Sequence, residues 1–333
     1  IAGAPLGRLQ NRGEAVQILT GALMPDGPGG KRPDTVVMIE DCLVDGEVVF
    51  LPEGIYRGAN CRLLGEDIQC GETILRTGCR LRPQEIGLAA SIGCDHLPVM
   101  VPLKVAVFST GNEVLDPGDS LFEGAIYDSN RYTLMQLLKS VGCEVVDLGI
   151  LEDNPKIIAD ALLSATIKYD LILTSGGVST GEEDHVRKVV ENEGSLLFWR
   201  LAIKPGRPVA LGQINDTVFI GLPGNPVAAM VTFLQIARPI ILRLSGANDT
   251  VPKLFSVQSD FSYKKKLHRR EYVRVQIKKN GNGKLIAKKY KREGAGILSS
   301  MVFADGFVEL SEDITNVEKG DFVNYVPFSE LGL

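Results

Sequence analysis

Apolar runs alternate with segments of helical periodicity between residues 102 and 246. The run "KVAVFS" is continuously apolar, which is typical of a strand that is covered on both faces. Further strands are predicted in "EVVDLGI", "DLILTS" and "VFIGLPGNP", and helical patterns begin near Ser129, after Pro155 and near Glu182. The alternation predicts βαβ units, and therefore a mostly parallel sheet with helices on both faces.

The chain on either side has a β-type pattern. Up to about residue 70, glycines and prolines separate the short runs "AVQIL", "TVVMI" and "EVVFL", which predict strands. After residue 246, "EYVRVQI", "KLIAKKY", "GFVELS" and "DFVNYVPF" predict a second set, and "KKNGNGK" predicts a hairpin. A helix is expected after Pro83. We therefore expect an N-terminal β domain (1–70), a helical linker (71–101), an α/β domain (102–246) and a C-terminal β domain (250–333).

Composition excludes several classes of protein. The 333 residues are 44% hydrophobic and 23% charged, as in ordinary globular proteins. No uninterrupted apolar run reaches the roughly 18 residues that a membrane helix needs, and no secretory leader opens the chain, so we expect neither a membrane partner nor secretion. Six cysteines without a CxxC pair, and only three histidines, indicate a cytoplasmic protein without a zinc site.

Charge is distributed unevenly behind a net value of −5. From Val251 onward there are 15 basic and 10 acidic residues, whereas the preceding 250 residues contain 21 basic and 31 acidic ones. Solvated strand faces are the commoner explanation of such a basic segment. The alternative is a surface that meets a small anion. Nucleic acid is disfavoured, because stacking aromatic residues are not interleaved with the basic ones.

Three loops of one kind follow predicted strands: "FSTGNE", "LTSGGVSTGEED" and "IGLPGNPVA". Glycines allow backbone N–H groups to approach an anion, and hydroxyl groups add donors. Tight turns and helix caps would explain any one loop, but three at one sheet edge favour a phosphate cradle. The known nucleotide fingerprints GxxxxGK[ST] and GxGxxG are absent. The candidate contacts are Ser109, Thr110, Gly111, Ser175, Gly176, Gly177, Ser179, Gly224 and Asn225.

Acidic residues stand beside this predicted cradle. Glu113, Asp153 and Asp184 each follow a strand end. Carboxylates would repel a phosphate unless a cation bridges them, and Mg²⁺ takes one or two carboxylates together with phosphate oxygens. The neighbouring Glu182 and Glu183 are explained by the dipole of a first helical turn. We therefore expect Asp153 and Asp184 as metal ligands.

Basic residues flank a Pro-Gly turn in "FWRLAIKPGRPVALG". Any of Arg200, Lys204 and Arg207 alone would be read as a solvated side chain. Together they bracket a short segment between apolar stretches, where Arg can grip an oxyanion in bidentate fashion and Lys can serve as a point charge.

These motifs together resemble the molybdopterin molybdenumtransferases, the family of bacterial MoeA and of the gephyrin E domain. The resemblance includes "SGGVSTGEED", "IKPGRP" and "GLPGNPVA", and extends to "ILTGALMP", "LLGEDIQCG", "FSTGNEV" and "YDSNRYTL". The motifs occur in the family's order over essentially the whole chain. The resemblance implies an elongated multidomain chain whose central three-layer domain is MogA-like.

The resemblance also implies an activity. Family members insert molybdate into the dithiolene of adenylylated molybdopterin and release AMP in the presence of Mg²⁺, as a step of molybdenum cofactor biosynthesis. They are homodimers whose cleft draws on both subunits, and a MogA-type adenylyltransferase is the expected partner protein.

Site residues follow from the matched motifs. The family's cleft acids fall on Asp67, Glu113, Asp153 and Asp184. The basic residues that face the oxyanion fall on Arg200 and Lys204. The remaining matches are Thr20, Pro223, Pro226, and Arg274, Ser299 and Ser300, of which the last three are implied to come from across the dimer.

Three departures from the family pattern stand out. The upstream "MDGYA" segment is missing before Ile1, so we expect the native protein to begin further upstream. Arg200 replaces the Lys of some relatives, and a bidentate oxyanion contact would survive that change. Ala295 stands where many members have Ser, which removes one expected hydroxyl contact.

Two alternatives remain open at this point. One is an adenylyltransferase of the MogA type, although such a chain would consist of the central domain alone. The other is a gephyrin-like scaffold that binds peptides at the dimer surface, because a fold does not fix its function. Molybdate-dependent release of AMP distinguishes the transferase from both.

Overall fold

The computed structural model describes residues 1–177 and 185–333. Their contacts divide the chain into two compact units, Ile1–Ile74 and Leu75–Leu333. The prediction of a mostly parallel α/β domain between smaller β parts of the chain is confirmed by the strand order of the sheets.

The N-terminal unit contains one β-hairpin, in which β1 (Leu43–Asp45) pairs antiparallel with β2 (Val48–Phe50). Two short 3₁₀ turns, Pro28–Gly30 and Ile39–Asp41, are its other regular elements in the described chain. The strands predicted in "AVQIL" and "TVVMI" do not form there. A strand needs a partner to pair with, and the second run forms no ladder. Its Val36 amide donates to the Ala59 carbonyl (2.9 Å), and the Val36 carbonyl accepts from the side-chain amide of Asn60 (2.9 Å).

The larger unit begins with the helix predicted after Pro83 and continues into the α/β part. Its strands are β3 (Lys104–Thr110), β4 (Val114–Leu115), β5 (Ile126–Tyr127), β6 (Glu144–Leu151), β7 (Leu171–Ser175), β8 (Ser195–Arg200), β9 (Ile203–Lys204), β10 (Pro208–Ile214) and β11 (Thr217–Leu222). Its helices are α1 (Pro83–Ser91), α2 (Asn130–Ser140), α3 (Pro155–Thr166), α4 (His185–Glu193), α5 (Pro226–Thr232) and α6 (Arg238–Leu244).

Six of these strands form one sheet in the order β6-β3-β7-β11-β10-β8. The four strands β6, β3, β7 and β11 are parallel, whereas β10 and β8 are antiparallel additions at one edge. Side chains along β3 alternate between two cores: Val105 and Val107 face the core that includes α2, α5 and α6, and Ala106 and Phe108 face the core that includes α3 and α4. This produces the three layers that the resemblance implied.

The segment Pro226–Leu244 runs as α5, a π-helical turn (Phe233–Ala237) and α6. In the part of the chain that the structure describes, it is the one helix that is long and apolar enough to span a membrane by length and composition. Most of it is buried in the domain core, where Phe233, Leu234 and Ile241 are fully or almost fully inaccessible. An apolar helix is expected at such a position.

The C-terminal part is a curved sheet with two short helices. Its elements are β12 (Phe255–Ser259), β13 (Tyr263–Lys264), β14 (Arg270–Lys279), β15 (Leu285–Lys289), α7 (Ser299–Phe303), β16 (Gly306–Leu310), β17 (Asn316–Val317), β18 (Phe322–Pro327) and α8 (Phe328–Leu331). The main sheet has the order β15-β12-β18-β16-β14-β9, and β15 also pairs with β14, as the hairpin prediction required. This extra pairing bends the sheet into a barrel-like form. Strand β9 of the α/β part thus belongs to the C-terminal sheet, parallel to β14.

Candidate functional site

Three strand ends of the α/β sheet meet at one rim. Ser175, the last residue of β7, is the register partner of Ser109 on β3 and of Leu222 on β11. The Gly176 amide continues the contact by donating to the Leu222 carbonyl (3.1 Å). The loops that contain most of the predicted cradle residues are therefore neighbours in space, because parallel strands present their carboxyl ends on the same edge.

Asn130, at the start of α2, ties two of these loops together. Its amide nitrogen donates to the Ser175 hydroxyl (2.7 Å) and to the Gly224 carbonyl (2.6 Å). The Ser175 hydroxyl in turn donates to the Pro223 carbonyl (3.2 Å). The sequence interpretation did not assign this role to Asn130, although the residue lies inside the quoted motif "YDSNRYTL".

The glycine pair after β7 allows the close approach of these loops. Gly177 has a φ of +63°, and a Cβ there would lie 2.5 Å from Val186 Cγ2 and 2.9 Å from the Thr110 hydroxyl oxygen. A side chain at this position would therefore be both strained and crowded. Ser179 and Asp184, the next predicted site residues, lie outside the described residues.

Two predicted acids flank this rim. The Asp153 amide donates to the side-chain oxygen of Asn112 (3.4 Å), which joins the loop after β6 to the loop after β3. Glu113 is exposed in the latter loop, and Asp153 is partly buried. Within residues 1–177 and 185–333, no three His, Cys, Asp or Glu side chains are arranged so that they could hold one metal ion.

A pocket of about 150 Å³ lies where β9 meets the C-terminal sheet. Four basic side chains and two carboxylates line it, which leaves two positive charges in excess. These charged residues are Lys204, Glu271, Arg274, Lys289, Arg292 and Glu293. Lys204 and Arg274 were predicted; the other four were missed, although the basic C-terminal segment was the signal for such a surface.

Lys204 is held at the pocket wall by two neighbours. Its ammonium donates to the Tyr263 hydroxyl (3.0 Å) and lies 3.3 Å from a carboxylate oxygen of Glu271. Glu271 is 1% exposed and also accepts from Tyr263 (2.7 Å). Burial opposes its ionisation most strongly, yet its hydrogen bonds and the charge of Lys204 outweigh burial and hold the pKa of this carboxyl below its usual value.

Arg274 is buried and only partly bonded. Its terminal nitrogen donates to the Gly294 carbonyl (3.3 Å), whereas its Nε is buried without a hydrogen-bond partner among the described residues. Burial lowers the pKa of the guanidinium from its ordinary value, although an arginine remains charged at neutral pH. A buried guanidinium with an unused donor is a suitable group for binding an anion.

The resemblance implies that Arg274 comes from across the dimer, and this assignment remains a prediction. Within one chain, Arg274 already lies beside Lys204 in the lining of one pocket. The Ala295 carbonyl, at the edge of that pocket, accepts from the Val227 amide (2.8 Å) in the first turn of α5. The physical reason is the pairing of β9 with β14, which brings the "IKPGRP" segment and the "EYVR" strand side by side.

Other predicted residues are placed less centrally. Arg200 and Arg207 are exposed at the ends of the segment that contains β9, outside the lining of the pocket. Ser299 lies 3.4 Å from the hydroxyl of the pocket residue Tyr290. Ser300 is fully buried, and its hydroxyl donates to the Ile297 carbonyl (2.6 Å), so that hydroxyl serves the first turn of α7.

Two further predicted residues belong to the N-terminal unit. Thr20 and Asp67 are both exposed, and both lie in segments of that unit that are neither helix nor strand. Their assignment to the site remains a prediction.

Comparison with known proteins identifies all three parts of the chain. Residues 106–243 match the family described as "Probable molybdopterin binding domain", residues 1–93 match "MoeA N-terminal region (domain I and II)" and residues 256–328 match "MoeA C-terminal region (domain IV)".

Similar proteins agree with these matches. The chain is 38% identical to the molybdopterin molybdenumtransferase of Haemophilus influenzae, over 99% of this chain and 81% of that protein. It is 34% identical to gephyrin of Dictyostelium discoideum over 71% of this chain and 36% of that protein. The crystal structure of the molybdopterin biosynthesis moeA protein from Pyrococcus horikoshii superimposes with a TM-score of 0.78 and 27% identity, over 98% of this chain and 79% of that one. The chain therefore belongs to the MoeA family of molybdopterin molybdenumtransferases.

Proposed function

We propose that this chain is a molybdopterin molybdenumtransferase, which inserts molybdate into the dithiolene of adenylylated molybdopterin and releases AMP. The observation that supports this best is the excess of positive charge around Lys204 and Arg274, in a pocket that adjoins the loop after β11. An adenylyltransferase of the MogA type would not need the C-terminal sheet that supplies Arg274.

Molybdate is a tetrahedral dianion, and the pocket suits it in charge and size. Its two positive charges in excess match the two negative charges of the ligand. A volume of about 150 Å³ is at least about tenfold larger than the roughly 10–15 Å³ that one water needs by a comparable measure. Arg274 would supply the charge of its guanidinium at the pocket wall, and Lys204 would act as a point charge.

The strand-end rim would hold the phosphates and nucleotide of the second substrate. The Ser109 hydroxyl is buried there and makes no hydrogen bond within the described part of the chain, and a phosphate oxygen would satisfy it. A side chain at Gly177 would be crowded by Val186 and Thr110, so glycine keeps this part of the rim open. Thr110, Ser175, Gly224 and Asn225 complete this proposed surface, with Pro223 and Pro226 shaping the turn.

A divalent cation would be held at the acidic side of the rim. The Asp153 amide contacts Asn112, and Glu113 is the next residue after Asn112 in the chain. The carboxylates of Asp153 and Glu113 offer oxygen ligands, which Mg²⁺ prefers. We assign Asp153 and Asp184 as the ligands, together with phosphate oxygens of the substrate. When bound, Mg²⁺ would neutralise phosphate charge.

The protein's contribution to the reaction is positioning and charge neutralisation. Two polyanions must be held together, and their repulsion is reduced when fixed cations and N–H donors replace water around them. Lys204 and Arg274 would hold the molybdate oxygens, and the rim would hold the phosphoanhydride. Thr20, Asp67, Arg200, Arg207, Ser299 and Ser300 remain proposed contacts that the family match suggests.

The cellular context is part of the same proposal. We infer a cytoplasmic homodimer that receives adenylylated molybdopterin from a MogA-type partner. The free cysteines of the described chain are compatible with a reducing compartment. None of the sequence motifs described above supports a scaffold role like that of gephyrin.

The test is release of AMP from adenylylated molybdopterin, measured with Mg²⁺ and with or without molybdate. We expect release to require molybdate. Arg274→Ala should raise the KM for molybdate about 10- to 100-fold, because charge-assisted hydrogen bonds are lost. The matched control Arg243→Ala changes an exposed arginine in the last turn of α6 and should behave as wild type. Release that does not depend on molybdate would refute the proposal.

A further inference from the structure

Glu271 is a buried carboxylate with an unusual set of donors. It is 1% exposed, lies on β14, and is the register partner of Lys204 on β9. One of its oxygens accepts from Arg269 Nε (3.0 Å), and the other accepts from the Tyr263 hydroxyl (2.7 Å) and lies 3.3 Å from Lys204. A buried carboxylate needs such partners to remain ionised.

The donor and acceptor capacities of the three groups fix the direction of each hydrogen bond in this cluster. An ionised carboxylate can only accept, so the single Tyr263 hydroxyl proton must point to Glu271. The ammonium of Lys204 can only donate, so the Tyr263 oxygen must accept from it, at 3.0 Å. Burial raises the pKa of the Tyr263 phenol, and the hydrogen bond to Glu271 raises it further, so the hydroxyl keeps its proton.

This arrangement leaves Lys204 little freedom. Its ammonium donates to Tyr263 and forms an ion pair with Glu271 at 3.3 Å, so these two groups restrain it while the side chain lines the pocket. The ring of Tyr263 adds a further restraint, since the ammonium lies 5.5 Å from its centre. The Lys204 side chain is nonetheless 42% exposed, so it is fixed and accessible at once.

We propose that Glu271, acting through Tyr263, is a positioning residue that fixes the direction of the Lys204 ammonium for a tetrahedral oxyanion. The proposal rests on the function proposed above. Neither residue needs to touch the oxyanion. Arg269 also pairs with Glu271, so the buried carboxylate keeps a cationic partner when the Tyr263 link to Lys204 is removed.

Tyr263→Phe tests this with the smallest change, because it removes one oxygen and keeps the ring. We expect molybdate to bind about five- to tenfold more weakly by calorimetry, which is the size of the net contribution of one ordinary hydrogen bond. The KM for molybdate should rise by the same factor, whereas kcat and the KM for adenylylated molybdopterin stay the same. Tyr325→Phe is the matched control: it removes the hydrogen bond from another buried tyrosine of the C-terminal part to the Asp305 carbonyl (3.0 Å).

A double-mutant cycle separates positioning from structural support. In a Lys204→Ala background, Tyr263→Phe should have no further effect on molybdate binding, because the group that it positions is gone. An equal loss in both backgrounds, or unchanged binding in the single variant, would overturn the proposal. Glu271→Gln should repeat the single-variant effect in protein that melts as one cooperative transition. Wild type that shows neither molybdate binding nor molybdate-dependent AMP release would instead refute the proposed function, and this inference with it.

Discussion

At the scale of single residues, the pocket combines fixed cations with one acid that competes with a ligand. The Glu293 carboxylate lies 2.5 Å from the Lys289 ammonium and 4.0 Å from that of Lys204. Its side chain is half exposed, so water screens the interaction and the carboxylate can be displaced. In the absence of a ligand, Glu293 pairs with the lysines that an oxyanion would otherwise bind.

Glu293→Gln should therefore tighten molybdate binding about two- to fivefold, because it removes a like charge while retaining the shape. Calorimetric titration with molybdate at low and high salt measures the effect, which salt should reduce. The control Glu312→Gln removes an acid that pairs with Arg270 (3.0 Å) outside the pocket lining. Weaker binding in Glu293→Gln than in this control would contradict the assignment.

Cysteine reactivity provides a second prediction at this scale. Cys143 is buried, and burial raises the pKa of its thiol to about 11, so almost no thiolate exists at pH 8. A thiol reagent at pH 8 should react with exposed cysteines such as Cys70 in the native protein, and with Cys143 only after denaturation. Cys143→Ser should leave the native thiol count unchanged and lower the denatured count by one. A native count that falls in this variant would show that the site is open.

At the scale of elements, one buried arginine holds α2 against the sheet. Arg131 donates to Asp128 (3.1 Å) at the helix start and to Asp147 on β6 (2.8 Å), and it pairs with Asp116 in the loop between β4 and β5. Both Arg131 and Asp128 are almost fully buried. This cluster fixes the helix whose first residue, Asn130, bridges the loops of the rim.

Arg131→Met should lower the free energy of unfolding by about 3–5 kcal/mol, because it leaves Asp128 charged and buried without its partner. Denaturant titration measures this at pH 7. Lys319→Met is the comparison, since the side chain of Lys319 is 71% exposed and its pair with Asp260 should contribute less than about 1 kcal/mol. Equal effects of the two substitutions would show that the Arg131 cluster does not hold α2.

At the scale of the whole molecule, the N-terminal unit exposes many large apolar side chains. Leu43, Val44, Val48, Phe50 and Leu51 of its hairpin region are all more than half exposed. Apolar side chains gathered in this way mark surfaces that bind another protein. A second copy of this chain is the occupant that the proposed homodimer supplies.

The chain should consequently have a mass of about 72 kDa in solution, twice the 36.1 kDa of one copy. Light scattering coupled to size exclusion measures this, and a dilution series shows whether the association is stable. A mass that stays at one copy throughout the micromolar range would contradict the homodimer.

Sequence reasoning succeeded where local pattern and burial agree. The continuous apolar runs predicted β3 and β7, and Pro83 and Pro155 marked the starts of α1 and α3, because both signals depend on neighbouring residues alone. It failed for "AVQIL" and "TVVMI", since a strand requires a partner that local propensity does not supply. The antiparallel strands β8 and β10 were also not predicted as such, because strand direction depends on how the chain turns between them.

The sequence by itself therefore determined the α/β class, the motifs of the strand-end loops and the family that they indicate. Only the tertiary structure decided that Lys204 and Arg274 of one chain share a pocket, and that Tyr263 and Glu271 orient Lys204. The physical reason is that Lys204 on β9 pairs with Glu271 on β14, which is more than 60 residues away in the sequence. Such pairing is set by hydrogen bonds between distant segments, which no local pattern encodes.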